Sequence, residues 1–298
     1  MKRRDFIKKN TLVAGGLMVA PSVPLLAKKS TSITILHTND THSQIDPFPA
    51  NHSKYPNRGG VATRYALIEK IRSEEENVLL LDAGDIFQGT PYFNVYKGVL
   101  EMKLMTKMKY DVATLGNHDF DIGLDGFMQA VEFAEFPFVS ANYDFSETSL
   151  NGKIKRSVII EKDGLKIGIL GIGVELEGLV PASKYGDTKY LDPVESANSE
   201  ALSLKNQGCD LIICLSHLGY SYETEKISDL KLAAQSEHIH LIIGGHTHTF
   251  LNEPTQVKNK KGETVLVNQV GYAGINIGRI DFDIRERKLK CKDHIEVK

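Results

Sequence analysis

The eight residues Val78-Leu79-Leu80-Leu81-Asp82-Ala83-Gly84-Asp85 say more about the fold than any other segment of this sequence. The first four form a continuous apolar run, which is typical of a parallel β-strand with both faces covered. The segment then ends in Gly84-Asp85, so a carboxylate lies just beyond the predicted strand. In an open parallel sheet, functional groups gather at the carboxyl ends of the strands. The segment therefore predicts a layered α/β fold with a polar site at one sheet edge.

Four further segments place polar side chains directly after an apolar run. They are Asp40-Thr41-His42, Gly116-Asn117-His118-Asp119, Ser216-His217 and Gly244-Gly245-His246-Thr247-His248. In the first and the last, two ligand residues lie two positions apart, so extended backbone would point both side chains the same way. Asp, Asn and His residues in this number suit two divalent cations held close together, an arrangement that hydrolyses phosphate esters.

The side chains in these segments predict distinct roles. The Asp85 carboxylate has two oxygens and can bridge two ions, whereas Asn117 offers a neutral carbonyl oxygen. Two cations lower the pKa of a bridging water from 15.7 towards about 7, which makes hydroxide available at neutral pH. Asp121 follows His118 by three residues. A carboxylate bonded to the imidazole would orient His118 and favour its charged form, which makes His118 the predicted proton donor to the leaving alkoxide.

Between these segments, apolar runs alternate with helical patterns. Strands are predicted at residues 33–36, 78–81, 111–115, 138–141, 155–161, 165–172, 211–215, 239–243, 264–268 and 275–284. Helices are predicted at 61–76, 93–109, 124–134, 193–206 and 223–235. Lys162-Asp163-Gly164 predicts a hairpin turn, and the polar segments 57–60 and 251–261 predict surface loops. This mixture predicts two packed sheets enclosed by helices, in one domain that spans residues 28–298.

The five polar segments resemble the signature blocks of the calcineurin-like metallophosphoesterases. The longer strings Leu36-His37-Thr38-Asn39-Asp40-Thr41-His42 and Gly116-Asn117-His118-Asp119-Phe120-Asp121 are similar to the 5'-nucleotidase branch. The resemblance implies a four-layer αββα sandwich and the catalytic pair His118 and Asp121. It implies one metal site formed by Asp40, His42, Asp85 and His248. It implies a second metal site formed by Asp85, Asn117, His217 and His246.

This resemblance implies a two-metal phosphomonoesterase like the 5'-nucleotidases, in which a metal-bridging hydroxide attacks a small phosphoester such as a nucleotide. The ions are divalent, and zinc, manganese, iron and cobalt all remain open. The metal centre leaves open a second interpretation, a phosphodiesterase acting on cyclic nucleotides or other diesters. Because the chain ends at Lys298, just after the expected metal domain, a third interpretation is a metal-binding subunit. Such a subunit would be active only with a separately encoded C-terminal substrate-binding domain.

The first 27 residues predict an export signal rather than part of the fold. Arg3-Arg4 lies in a basic start that resembles a twin-arginine signal, and residues 11–27 carry no charge. This stretch is short for a stable membrane span and contains Pro21 and Pro24. We therefore expect an exported, periplasmic protein. Removing residues 1–27 takes away five basic residues and one acid, so the formal charge of −2 becomes −6, which argues against binding nucleic-acid polymers.

Several polar residues near the predicted site have simpler structural interpretations. Asp82 is predicted as a turn or cap residue, His37 as a packed histidine, and Asp119 as a surface residue or a support behind the ligands. The three cysteines, Cys209, Cys214 and Cys291, lack zinc-site spacing. Cys209 and Cys214 flank or lie in an apolar run and are predicted as buried thiols.

Overall fold

The computed structural model describes residues 32–283, 286, 288–292 and 294–298 of the chain. Its strands are β1 (Ser32–Thr38), β2 (Val78–Asp82), β3 (Val112–Thr114), β4 (Phe138–Val139), β5 (Tyr143–Asp144), β6 (Ser157–Lys162), β7 (Leu165–Gly173), β8 (Lys189–Tyr190), β9 (Leu211–His217), β10 (Leu241–Gly244), β11 (Thr255–Lys258), β12 (Thr264–Asn268), β13 (Asn276–Asp283), β14 (Lys288–Cys291) and β15 (Ile295–Glu296). Its α-helices are α1 (Val61–Glu74), α2 (Pro91–Tyr96), α3 (Val99–Lys107), α4 (Gly123–Val131), α5 (Ala182–Tyr185), α6 (Pro193–Asn206) and α7 (Asp229–Gln235).

The first sheet has the strand order β14-β13-β1-β2-β3-β4, and β15 pairs with β13. Strands β1 to β4 are parallel neighbours, whereas β13 runs antiparallel to β1. Leu36 lies opposite Leu80, and Asp82 lies opposite Ala113. Since the parallel strands point the same way, the residues that follow β1, β2 and β3 emerge at one edge of the sheet.

The second sheet has the strand order β11-β12-β10-β9-β7-β6. Strands β7, β9, β10 and β12 are parallel, and β6 forms the predicted antiparallel hairpin with β7. At the turn, Asp163 and Gly164 have φ values of 50° and 78°, the conformation that two-residue hairpin turns require. The ends of β9 and β10 supply the second half of the site.

The two sheets pack face to face through a cluster of branched aliphatic side chains. Ile35 and Leu79 of the first sheet meet Ile169, Ile213 and Ile243 of the second, and all five are fully buried. The outer face of the first sheet packs against helices α1 to α4, and that of the second packs against α6 and α7. Burial on both faces explains why the central strands are unbroken apolar runs. The predicted four-layer αββα sandwich is confirmed.

Three predicted elements differ in the structure. The helix predicted at 93–109 is two helices, because Lys97 and Gly98 adopt left-handed φ values of 51° and 84°. A Cβ on Gly98 would lie 2.4 Å from the Phe87 ring, so only glycine permits this close approach. The helix predicted at 223–235 begins only at Asp229, where the Ser228 side chain accepts a hydrogen bond from the Lys231 backbone N–H. The predicted loop 251–261 contains the edge strand β11.

The predicted signal, residues 1–27, lies outside the described residues. None of the helices that the structure describes has both the length and the apolar character needed to cross a bilayer. Cys209 and Cys214 are free, buried thiols, as predicted, whereas the side chain of Cys291 lies outside the described part of the chain.

Candidate metal centre

The predicted ligands lie on short loops that follow parallel strands. Asp40 and His42 follow β1, Asp85 follows β2, and His246 and His248 follow β10. All five adopt left-handed backbone, with φ values between 49° and 74°. This conformation is uncommon for residues with a Cβ, and here it curls each loop over the end of its strand. Asn117 follows β3, and His217 is the last residue of β9.

The first donor group consists of Asp40, His42 and His248, whose ligand atoms lie within 4.8 Å of one another. The Oδ1 atom of Asp40 lies 3.4 Å from Nε2 of His248 and 3.9 Å from Nε2 of His42. The two imidazole Nε2 atoms lie 3.0 Å apart. Asp40 is fully buried, whereas both histidines are partly open to solvent. The group can therefore bind an ion on its buried side and leave the other side of the ion accessible to solvent.

The second donor group consists of Asp85, His217 and His246, within the same 4.8 Å limit. Oδ2 of Asp85 lies 3.0 Å from Nε2 of His217. Asn117 joins this group, because its Oδ1 lies 2.8 Å from Nδ1 of His246. The same Asp85 oxygen lies 3.9 Å from Nε2 of His42, so the carboxylate faces both donor groups. The structure therefore brings together the seven residues that the sequence analysis singled out as ligands.

The electrostatics of this cluster suit cations. Burial lowers the pKa of His217, but the Asp85 and Asp40 carboxylates outweigh it and raise that pKa to about 10. Burial and the neighbouring His217 charge lower the pKa of His246 to about 4. Two buried carboxylates thus create a negative potential that one proton on His217 only partly offsets. Oxygen and imidazole donors at this spacing fit two divalent cations, which would satisfy these groups in place of the proton.

His118 and Asp121 form a hydrogen-bonded pair beside the donor groups. Nδ1 of His118 lies 2.8 Å from Oδ2 of Asp121, so the other ring nitrogen is left to face a substrate. The His118 ring lies 5.4 Å from the His42 ring. Burial lowers the pKa of His118, but the charges of Asp85 and Asp121 and the Asp121 hydrogen bond raise it overall. The pair is therefore suited to deliver a proton next to the cluster.

The sequence analysis left two positions open for Asp119, on the surface or as a support behind the ligands. It is 1% exposed, and its carboxylate accepts four backbone N–H bonds. The donors are the amides of Asp85, Ile86, Phe87 and Gly116, at 2.8–3.1 Å. One carboxylate thereby holds the loop after β2 against the loop after β3. The surface interpretation of Asp119 was wrong.

Two amide side chains that sequence reasoning missed fix the remaining loops. Asn39 donates to the Asp40 carboxylate at 2.6 Å and accepts from the Val270 amide at 3.0 Å. Gln269 donates to the Gly245 carbonyl at 2.6 Å and accepts from the Thr249 amide. Asn39 stands next to a ligand in the sequence, which offered a signal, whereas Gln269 lies far from the donor segments in the chain.

Asp82 and His37 have the structural roles predicted for them. Asp82 accepts hydrogen bonds from the Thr38 hydroxyl at 2.6 Å and from the Gly84 amide at 2.9 Å, so it caps the turn after β2. His37 is fully buried, and its Nε2 lies 2.9 Å from the Asn268 side-chain nitrogen.

Gly116 is required by the closeness of the two loops. A Cβ at this position would lie 2.1 Å from Oδ1 of Asp85, which is closer than any side chain tolerates. The same oxygen accepts a hydrogen bond from the His118 amide at 2.8 Å. Any larger residue at 116 would displace the Asp85 carboxylate, which faces both donor groups.

Comparison with known proteins identifies nucleotidases that are similar to this chain. Snake venom 5'-nucleotidase from Crotalus adamanteus is 33% identical over 287 residues, which cover 89% of this chain and 48% of that protein. Trifunctional nucleotide phosphoesterase protein YfkN from Bacillus subtilis (strain 168) is 31% identical over 294 residues, covering 88% of this chain and 19% of that protein. The crystal structure of a 5'-nucleotidase precursor from Thermus thermophilus matches with a TM-score of 0.81 and 34% identity, covering 89% of this chain and 54% of that one.

The chain thus spans about half the length of the Crotalus and Thermus nucleotidases and a smaller share of the Bacillus protein. A family profile described as calcineurin-like phosphoesterase matches residues 33–250. That range contains both donor groups and the His118–Asp121 pair. The chain belongs to the calcineurin-like phosphoesterase family.

Proposed function

We propose that this protein is a metal-dependent phosphomonoesterase that acts on small phosphoesters, nucleoside 5'-monophosphates among them. The observation that carries the proposal is the juxtaposition of two metal-type donor groups and a histidine–aspartate pair. A single donor group would suit a structural ion. Two groups that share the Asp85 carboxylate suit a centre that grips a phosphoryl group from two sides.

The proposed ligands of one cation are Asp40, His42, Asp85 and His248. The proposed ligands of the other are Asp85, Asn117, His217 and His246. When bound, the two cations supply an activated hydroxide at neutral pH and offset the charge of the phosphoryl oxygens. Backbone bonds orient the ligands beforehand: the Ala83 carbonyl lies 2.7 Å from Nδ1 of His217, so that Nε2 is directed towards Asp85.

His118 is the proposed proton donor. Its Nδ1–H donates to Asp121, which stabilises the charged imidazolium and leaves Nε2–H for the departing oxygen. The raised pKa of His118 keeps a proton available near neutral pH. Because the ring is partly exposed, with 38% of the side chain open to solvent, a leaving group can approach it.

The nucleotide preference is supported by the relatives, which carry the names 5'-nucleotidase and nucleotide phosphoesterase. Both monoester and diester hydrolysis use the same attack on phosphorus, so the centre itself does not separate them. Rates for AMP, a cyclic 2',3'-nucleotide and bis(p-nitrophenyl) phosphate would rank the two activities, and negligible AMP turnover would refute the monoesterase.

The decisive experiment uses the purified full chain. With Mn²⁺ or Zn²⁺, we expect hydrolysis of AMP and p-nitrophenyl phosphate, loss of turnover after chelation, and recovery when metal is restored. Turnover that a chelator leaves untouched would refute the two-metal centre. Turnover by the chain alone would also refute the alternative that it works only with a separately encoded substrate-binding domain.

We also propose that residues 1–27 act as a twin-arginine export signal, and that residues 28–298 form the domain delivered to the periplasm. The support is the Arg3-Arg4 pair and the uncharged stretch 11–27. Replacing both arginines by lysine should retain the protein in the cytoplasm. Mass spectrometry of the exported form would locate its N-terminus, and export of the double-lysine variant at the normal rate would refute the route.

A further inference from the structure

The histidines proposed as ligands are not all oriented in the same way. Nδ1 of His217 lies 2.7 Å from a backbone carbonyl oxygen, and Nδ1 of His42 lies 3.2 Å from another. Such bonds fix the ring and direct its Nε2 atom towards the donor groups. Nε2 of His248 also faces the site, at 3.4 Å from Oδ1 of Asp40. Among the residues that the structure describes, however, none forms a hydrogen bond with Nδ1 of His248.

An aromatic stack holds the ring of His248 instead. The ring lies nearly parallel to the ring of Tyr272, with an interplanar angle of 12° and ring centroids 5.0 Å apart. A stacked aromatic pair is attractive beyond the area that it buries. The His248 side chain is 40% exposed, so the rest of the protein encloses it only in part. The stack with Tyr272 therefore restricts rotation of the His248 ring about its Cβ–Cγ bond.

Backbone hydrogen bonds place Tyr272 beside the first donor group. The amide of Ala273 donates to the Asp40 carbonyl at 2.7 Å. On the other side of the tyrosine, the amide of Gly271 donates to the Thr249 carbonyl at 2.9 Å. Tyr272 thus lies between a bond to one ligand loop and a bond to the loop that carries the stacked histidine.

Two further aromatic rings hold the Tyr272 side chain. Tyr55 packs against it edge-on, with ring centroids 6.0 Å apart and an interplanar angle of 75°. Phe250 also packs edge-on, at 6.1 Å and 80°. Edge-to-face packing is a preferred geometry of aromatic pairs. The Tyr272 ring is therefore fixed by protein contacts and presents a rigid face to His248.

The stack and cation binding strengthen each other. An imidazole that binds a divalent ion gains positive charge, and a positive group is attracted to the face of a tyrosine ring. A cation on Nε2 of His248 therefore strengthens the contact with Tyr272, and Tyr272 strengthens cation binding by the same factor. In the second donor group, the rings of His217 and His246 contact each other instead, at 5.4 Å.

We propose that Tyr272 is a positioning residue for one of the two cations, and that it acts by holding His248 in the orientation that binds the ion. The inference rests on the proposed two-metal phosphoesterase and adds a residue outside the ligands and the proton donor described above. It predicts that loss of the aromatic face weakens the cation at the Asp40, His42 and His248 group and spares the other cation.

The first test measures stepwise binding of Mn²⁺ to the full-length, metal-free protein by competition with a chromophoric chelator. Tyr272→Leu should raise the dissociation constant of one cation about tenfold and leave the other within about twofold. Tyr272→Phe keeps the ring face and should retain both wild-type constants. Tyr96→Leu is the matched control, because it removes a 49% exposed tyrosine that stacks on Tyr92, and it should also retain both constants.

A second set of variants tests whether the effect passes through His248. In a His248→Ala background, Tyr272→Leu should change neither dissociation constant further. In a His246→Ala background, it should still weaken one cation about tenfold. Wild-type constants in Tyr272→Leu would overturn the proposal. So would an effect of equal size with and without His248, or a loss in Tyr272→Phe as large as that in Tyr272→Leu.

Nuclear magnetic resonance tests the stack in the metal-free protein. The His248 ring protons, assigned by their loss in His248→Ala, should show an upfield ring-current shift in the wild type. Tyr272→Phe should keep this shift, and Tyr272→Leu should remove it. Unshifted protons in the wild type would refute the stack, even if Tyr272→Leu failed to fold.

Turnover of p-nitrophenyl phosphate separates this inference from the proposed function. At limiting Mn²⁺, Tyr272→Leu should be slower than the wild type, and saturating Mn²⁺ should restore kcat. A deficit in kcat that persists with two cations bound would overturn the positioning role. If the wild type binds two cations but hydrolyses no phosphoester, the proposed function fails and the binding constants still test Tyr272. If it binds no cation, both fail.

Discussion

Asp119→Asn tests whether one buried carboxylate holds the two central ligand loops together. In the wild type, Oδ2 accepts the amides of Asp85 and Gly116, and Oδ1 accepts those of Ile86 and Phe87. The asparagine side chain replaces one of these oxygens by an NH2 group. Whichever way it is oriented, two buried backbone N–H groups then face a donor.

The size of the effect follows from those two amides. A buried N–H group that loses its acceptor costs about 1–3 kcal/mol, so the substitution should destabilise the protein by about 2–6 kcal/mol. This is a large share of the roughly 5–15 kcal/mol by which native domains are stable. Burial and the Asp85 charge raise the pKa of Asp119 to about 7 against its four backbone bonds. Because folding raises this pKa, the unfolding free energy of the wild type falls as the pH rises through 7, whereas asparagine does not titrate, so the expected loss is smaller at pH 8 than at pH 6.

Urea denaturation of the metal-free protein, followed by circular dichroism at pH 8, measures this loss. Asp187→Asn, an exposed acid in a turn, is the control and should change stability by no more than about 0.5 kcal/mol. Because the Asp85 loop loses its anchor, elemental analysis of Asp119→Asn should also show fewer bound cations. A change below about 1 kcal/mol, with metal content intact, would refute the anchoring role of Asp119.

Changes at three other residues separate catalysis, cation binding and folding. His118→Ala should keep two cations per chain and lower kcat by about 10²–10⁴-fold, because it removes only the proton donor; loss of metal in that variant would contradict the assignment. Asp85→Asn should lower the content of both cations, since its carboxylate faces both donor groups, and two ions per chain by elemental analysis would disprove bridging. Burial lowers the pKa of His37 to about 3, so folding favours the neutral ring. The resulting stability is complete above pH 6.5 and falls by about 1.4 kcal/mol per pH unit as the pH drops towards 3. His37→Gln should flatten this dependence in urea titrations between pH 7 and 5, and an unchanged slope would exclude His37 as its source.

The fold and the donor set were predictable because strand ends are visible in the sequence. Leu79 and Leu81 pack between the two sheets, Leu80 packs under the helices on the other face, and the ligands follow the strand ends at short intervals. Apolar continuity is a local property, so one chain suffices to detect it. The same reasoning places ligands at one edge without any knowledge of how the loops curl.

What escaped prediction depends on contacts between distant segments. The helical pattern continues through Lys97-Gly98, and only the Phe87 ring lying against Gly98 shows that the helix must break there. Gln269 supports the His246 loop from a strand end near the C-terminus, and Asp119 is buried because four amides converge on it. Such pairings arise from tertiary packing, which local sequence patterns do not contain.

Because five ligand positions adopt left-handed backbone, the stability of the folded protein depends on the concentration of the cations that these ligands bind. Residues held in this region cost the folded state energy that surrounding contacts must offset. An ion that binds only the folded chain adds stability that grows with its free concentration, by about 2.7 kcal/mol at one hundred times the dissociation constant. A medium that removes the ions should therefore shorten the lifetime of the folded protein as well as abolish its activity. Binding of the metal ions then becomes part of the maturation of the protein.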